Sequence, residues 1–203
     1  MISYLINILE EPSLLRQHDP DMIKFLHRQG DLSLLKGFGN TPTDQEASFA
    51  VEAEKAGFKF LKDTNEIPGD GRFYKYQVNN GLYSKTDFVL YEGTKIIKIE
   101  LKSSKGESVV LNDGWFEKDV VYIISYKSKK VEKIYIGLGQ ESYEECDNIA
   151  WNAIRETIKK MNKEKINTKF LKIYNRLANK YSCKQFTPEF TKERFNSVIK
   201  FLE

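Results

Sequence analysis

The sequence predicts an α/β (α+β) fold, a mixed β-sheet core flanked by helices with helical additions at both ends. Three observations carry that expectation. Aromatic and β-branched residues crowd two arms around Glu92-Gly93, which reads as a hairpin. Val120 to Tyr126 is almost continuously apolar, the composition of a strand buried on both faces in the middle of a sheet. Thr43-Asp44-Gln45-Glu46 has the form of a capping box opening a helix, and that helix carries a stripe of Phe49, Ala50, Ala53 and Ala56 suited to close packing on a sheet. A chain of 203 residues, 40% hydrophobic and 30% charged, suits one domain: residues 1–140 as a core with N-terminal helices, and 141–203 as a helical region packed on it.

In chain order, residues 2–16 and 20–29 read as helices separated by Asp19-Pro20, with Asp19 as a cap. The loop through Gly37-Phe38-Gly39-Asn40-Thr41-Pro42 lacks the Lys-Ser/Thr ending of a phosphate-binding loop. The capped helix runs to Ala56 and stops at Gly57, and Phe58–Leu61 is a short strand. A turn-rich loop, 63–72, precedes a strand at Arg72–Val78, which Asn79-Asn80-Gly81 closes. The hairpin follows, then a strand at Ser108–Leu111, the turn Asn112-Asp113-Gly114, the buried strand, and an edge strand at Ile134–Leu138. Ser142 opens a long helix to Lys163 with Ile149, Ala153, Ile154 and Ile158 inward. Two more helices are expected at about 167–181 and 189–202, the second capped by Thr187-Pro188.

The hairpin carries the chemistry. With a two-residue loop at Glu92-Gly93, Tyr91 pairs with Thr94, and Asp87 falls opposite Lys98, one diagonal step from Glu100. Alternation then puts Phe88, Leu90, Ile97, Ile99 and Leu101 on one apolar face and Asp87, Glu100 and Lys102 on the other. Two carboxylates in diagonal reach suit a hard divalent cation such as Mg2+, and a neighbouring ammonium suits an attacking water or a phosphate charge. The same residues also suit cross-strand ion pairs, Asp87 with Lys98 and Lys85 with Glu100. Glu46 lies on the inner stripe of its helix, as a capping residue or as a third acidic group.

Composition narrows the class of protein. Residues 159–184 hold nine Lys and Arg against Glu164 alone, whereas the whole chain is only +3, so the basic charge is concentrated where a polyanion could be held. No apolar run reaches the length of about 20 residues that a membrane helix needs. The opening MISYLINILEEPS lacks a basic leader, and Cys146 and Cys183 are too few for a disulfide framework, so a cytoplasmic location is expected. His18 and His27, nine apart, have no ligand partners at metal spacing.

An acid-bearing helix, a strand, a hairpin with Thr86-Asp87-Phe88 on one arm and Glu100-Leu101-Lys102 on the other, then a buried strand: over about residues 43–126 this order resembles the PD-(D/E)xK nuclease superfamily. Within it, the likeness is to type II restriction endonucleases. Thr86 stands where that family usually has Pro. The resemblance implies a restriction-endonuclease-like fold and Mg2+-dependent, sequence-specific cleavage of double-stranded DNA leaving 5′ phosphates. Asp87 and Glu100 would then hold Mg2+ with the Leu101 carbonyl, while Lys102 and Glu46 would complete the catalytic set. Ser103, Ser104, Lys105, Asn112 and Asp113 look like the loop that follows the catalytic strand, and the resemblance makes them candidates for DNA contact. Arg72 and the basic Lys159, Lys160, Lys163, Lys169 and Lys172 are candidates for DNA contact. A palindromic target implies a homodimer, and a cognate DNA methyltransferase is expected in the host without a stable complex. A junction resolvase or repair nuclease of the same fold, and a non-catalytic nucleic-acid-binding protein, stand as alternatives.

Overall fold

The computed structural model describes residues 1–29, 42–62, 65–79, 85–104, 109–112, 116–127, 132–142, 145–163, 174–176 and 187–203. Helix α1 (Ile2–Glu10) is followed by a 3-10 turn (Pro12–Arg16), α2 (Pro20–Gln29) and α3 (Asp44–Lys55). Strands β1 (Lys59–Phe60), β2 (Arg72–Asn79), β3 (Lys85–Glu92), β4 (Lys95–Ser104), β5 (Val110–Asn112), β6 (Val120–Lys127) and β7 (Glu132–Leu138) come next. The chain continues through α4 (Glu145–Lys163), β8 (Tyr174–Arg176) and α5 (Pro188–Leu202).

Six strands form one mixed sheet in the order β1-β2-β3-β4-β6-β7. The β2-β3-β4 meander is antiparallel, β6 runs parallel to β4, and β7 closes the edge antiparallel to β6. Helices cover one face. There Phe49, Ala50 and Ala53 of α3, with Leu5 and Ile8 of α1, pack on Tyr74, Phe88, Leu90, Ile99, Val121, Ile123 and Ile136. Phe49 and Phe88 pack with rings tilted at 45° and centroids 4.7 Å apart, which locks α3 onto the centre of the meander. Val198 of α5 joins the same core, so the end of the chain belongs to the domain. On the opposite face a smaller cluster of Val109, Phe116, Tyr122, Ile124, Tyr126 and Tyr135 takes Phe190 from α5. The β6 run is buried from Val120 to Tyr126, as its composition requires.

The capping box at Thr43 and Glu46 is formed, and Gly57 ends the helix at φ +86°. Thr187 accepts from the Phe190 N–H at 3.2 Å and starts α5. Thr187→Ala is expected to cost about 1 kcal/mol, roughly 2–4 °C in the midpoint of thermal unfolding read by circular dichroism. An unchanged midpoint would show that α5 draws its stability from packing alone.

Four expectations are corrected. Residues 2–16 are not one helix: Pro12 drives the preceding Glu11 out of helical geometry, to φ −129° and ψ 84°, and a 3-10 turn follows. The hairpin loop is Gly93-Thr94, with Glu92 opposite Lys95, because a two-residue hairpin turn needs positive φ at its first position and Gly93 supplies +58°. In α4, Ile149, Ala153 and Ile154 are exposed and Ile158 is half-buried while Trp151 is buried, since the indole offers more apolar area than any of them. Tyr174–Arg176, expected within a helix, is a strand paired antiparallel with Val110–Asn112, whose open backbone edge outweighs local helical spacing. The expected turns at 79–81 and 112–114, and the loop at 37–42, fall largely outside the described residues.

Candidate active site

The corrected register changes the site. Pairing moves by one position on each arm, which preserves every face: Phe88, Leu90, Ile97, Ile99 and Leu101 are all buried in the helix-covered core. Lys98 now faces Val89, so the anticipated Asp87–Lys98 ion pair does not form. Continuing the register past the last pair, Phe88 with Ile99, brings Asp87 directly across from Glu100.

There the ladder gives way to side chains. The Asp87 N–H donates to Glu100 Oε2 at 3.2 Å, and the Leu101 N–H donates to Asp87 Oδ2 at 2.8 Å. Each carboxylate thus takes a backbone donor from the opposite strand. Lys102, two residues along the same face, donates to Glu100 Oε1, and the pair is mostly shielded from water. Burial is the main force raising the Asp87 carboxyl well above the ordinary carboxylate range; the Glu100 charge adds to it, and Lys102 opposes it. Burial also raises Glu100, again against the pull of Lys102, with Glu117 adding charge from the turn before β6. For Lys102 burial works the other way, but Glu100 and Asp87 outweigh it and hold the ammonium above an ordinary lysine. At neutral pH the lysine is a cation.

Glu46 reaches this region from α3, and its carboxylate is already occupied. Oε2 accepts from the Thr43 N–H at 2.6 Å and the Thr43 hydroxyl at 2.8 Å, while Oε1 accepts from the Tyr76 hydroxyl at 2.8 Å. Its charge acts on both Asp87 and Lys102. Glu46 is therefore a cap and a fixed negative charge near the site. Gln45, beside it, donates to the buried Ser125 hydroxyl at 2.7 Å, as does Arg16, which ties the start of α3 to β6.

Other residues singled out from the sequence lie elsewhere. Arg72 pairs with Glu92 at 2.6 Å and covers the Ala56 carbonyl, five strand positions from Asp87 or roughly 17 Å. Ser103 is exposed and Ser104 half-buried at the end of β4, next to Lys102. Lys160 is exposed on α4, and Lys159 and Lys163 lie on that helix. Asn112 ends β5. Lys105, Asp113, Lys169 and Lys172 fall outside the described residues. His18 meets Asp44 at 2.8 Å on the surface.

Asp87 and Glu100 supply two hard oxygen donors on adjacent strands, and the Leu101 carbonyl leaves the strand on the side of its N–H, toward Asp87. Among the described residues no group of three or more His, Cys, Asp or Glu side chains is placed to share a metal ion. A two-carboxylate site still fits Mg2+, which keeps several waters and completes its shell with phosphate oxygens. Sequence reasoning missed Gln77, Glu117 and Tyr122. Tyr76 reads as an alternating strand aromatic that could reach a ligand but suits core packing better, and Tyr122 as part of the continuous apolar run of β6; nothing in either spacing announces that one hydroxyl donates to Glu46 and the other accepts the Glu117 N–H.

Comparisons with family models, with curated proteins and with solved structures give no match. The reading of the site rests on its chemistry. Among the described residues no helix is long and apolar enough to cross a membrane.

Proposed function

We propose that the chain is a Mg2+-dependent endonuclease of restriction-endonuclease-like fold that hydrolyses phosphodiester bonds in double-stranded DNA at specific sequences. One observation carries the reading: Asp87 and Glu100 face one another across two strands, each holding a backbone N–H of the other strand, with the Lys102 cation beside them. Two half-buried carboxylates facing one another are costly unless a cation shares them; burial raises the proton affinity of both, and the Glu100 charge raises that of Asp87 further. A resident Mg2+ on Asp87, Glu100 and the Leu101 carbonyl would supply Lewis-acid stabilisation of a phosphoryl oxygen.

The protein's own groups divide the remaining work. Lys102, protonated, donates to a phosphate oxygen or to the attacking water and offsets charge gathering on phosphorus. Water oxygen bonds to phosphorus in line as the bond to the 3′ oxygen breaks; the attacking water gives its proton to solvent and the departing 3′ oxygen takes one up, leaving a 3′ hydroxyl and a 5′ phosphate. Glu46 keeps a negative charge nearby that favours the ammonium form of Lys102. Lys160, exposed on α4, adds long-range attraction with steep salt dependence. A palindromic target would make the working unit a twofold homodimer, protected in its host by a methyltransferase of the same specificity.

The test is incubation with phage DNA and Mg2+, with an EDTA control and the variants Asp87→Ala and Lys102→Ala. Discrete fragments that disappear with EDTA and in both variants are expected. Binding without cutting, unchanged by either substitution, would sink the catalytic reading. Cutting confined to a four-way junction substrate would replace sequence specificity with structure specificity.

A further inference from the structure

Gln77 is an anomaly within β2. Its neighbours pair in regular register, Tyr76 with Phe88 and Val78 with Thr86, so Gln77 stands across from Asp87 with no inserted residue. Yet its φ is +51°, left-handed geometry that an L side chain rarely adopts in a strand. Cross-strand partners share a face, so an extended Gln77 would stand over the Asp87 carboxylate. The turned backbone instead sends its Nε2 to the Tyr76 hydroxyl at 2.9 Å.

That contact fixes a direction. A phenol has one proton, and with its oxygen accepting from Gln77, the Tyr76 proton goes to Glu46 Oε1 at 2.8 Å. Glu46 is then held at both oxygens, by Tyr76 on one side and Thr43 on the other. Glycine would take the same backbone at no steric cost, so the conformation alone does not call for glutamine. What glutamine adds is the carboxamide.

We propose that Gln77 is a positioning residue for the acidic site: turned away from the face of Asp87, it holds the Glu46 carboxylate in a single orientation through Tyr76. The inference rests on the nuclease reading for its meaning, but its test includes metal binding alone. Contacts that orient a metal ligand are worth about 10- to 100-fold in metal affinity or activity; Glu46 acts on the site by its charge and not as a ligand, so the low end applies.

Gln77→Gly, Tyr76→Phe and the double variant are compared by electron paramagnetic resonance titration with Mn2+ and by cleavage kinetics in Mg2+. Each single change is expected to weaken Mn2+ affinity by about tenfold and to lower kcat with KM for DNA unchanged. The double is expected to be no worse than the weaker single, because both remove one chain of contacts. The thermal midpoint of Gln77→Gly should be unchanged or higher, which separates positioning from folding. Wild-type Mn2+ affinity and kcat in Gln77→Gly, or effects that multiply in the double, would overturn the proposal. Wild-type protein that binds Mn2+ but cuts no DNA would defeat the nuclease reading while the binding cycle still decides the role of Gln77; no Mn2+ binding at all would defeat both.

Discussion

Asp87→Asn is expected to stabilise the metal-free protein at about pH 8 while abolishing Mg2+-dependent cleavage. Burial and the facing Glu100 charge raise the Asp87 carboxyl in the fold, so folding favours its protonated form. The stability linked to this group is fully present below its unfolded pKa of about 3.9 and is lost as pH rises through the higher folded value. Asparagine imitates the protonated acid. Its oxygen can still accept from the Leu101 N–H, and its amide can donate to Glu100, where a carboxylate repels. The gain should be about 1 kcal/mol or more, roughly 2–4 °C, at pH 8, and should vanish near pH 4. Calorimetry in EDTA across that range checks it. A variant less stable than wild type at pH 8 would show that Lys102 compensates the two carboxylates fully and would remove the electrostatic case for a cation. Saturating Mg2+ should reverse the order, because only the wild type gains from binding.

The fold was legible wherever one local rule acted alone. The capping box, Gly57 and the apolar run of β6 each depend on neighbours in sequence, and each appears as the residues require. The faces of the hairpin were legible too, since alternation survives a slip of one residue on both arms. Its register was not, because it turns on which of two adjacent positions takes positive φ. The difference is chemical: Glu100 moves from a diagonal neighbour of Asp87 to its direct partner, and Lys98 leaves the site. In α4 and β8 the deciding partners are far away in sequence, a burial site for Trp151 and an open edge on β5. Asp87, Glu100 and Lys102 could be found as a pattern of charges on strands. Gln77 could not, because a lone glutamine in a strand carries no sign of a left-handed backbone.

Lys102→Met should have the opposite effect on stability and the same effect on activity. The ammonium is the group that opposes the rise in both carboxylates, and its own affinity for protons is raised by Glu100 and Asp87 against the penalty of burial. That contribution is present below the unfolded lysine pKa of about 10.4 and is lost only as pH rises beyond it, so at pH 8 it acts in full. Removing the cation strands two mutually repelling carboxylates. Breaking a buried pair in this way costs about 3 kcal/mol, the low end of its range because Lys102 keeps 27% side-chain exposure, and the midpoint should fall by roughly 6–12 °C. Acidification should shrink the deficit, as Asp87 takes up its proton at its raised pKa and the repulsion between the two carboxylates disappears. Millimolar Mg2+ should shrink it as well, since a divalent cation between Asp87 and Glu100 takes over the neutralising role. Cleavage should stay about 100- to 1,000-fold below wild type even then, because the metal cannot replace the donor aimed at phosphate. Adding Asp87→Asn to Lys102→Met should recover most of the lost stability in EDTA. If the double variant melts as low as the single, the loss comes from the lysine's packing, and Asp87 and Glu100 are not the repelling pair on which the metal site depends.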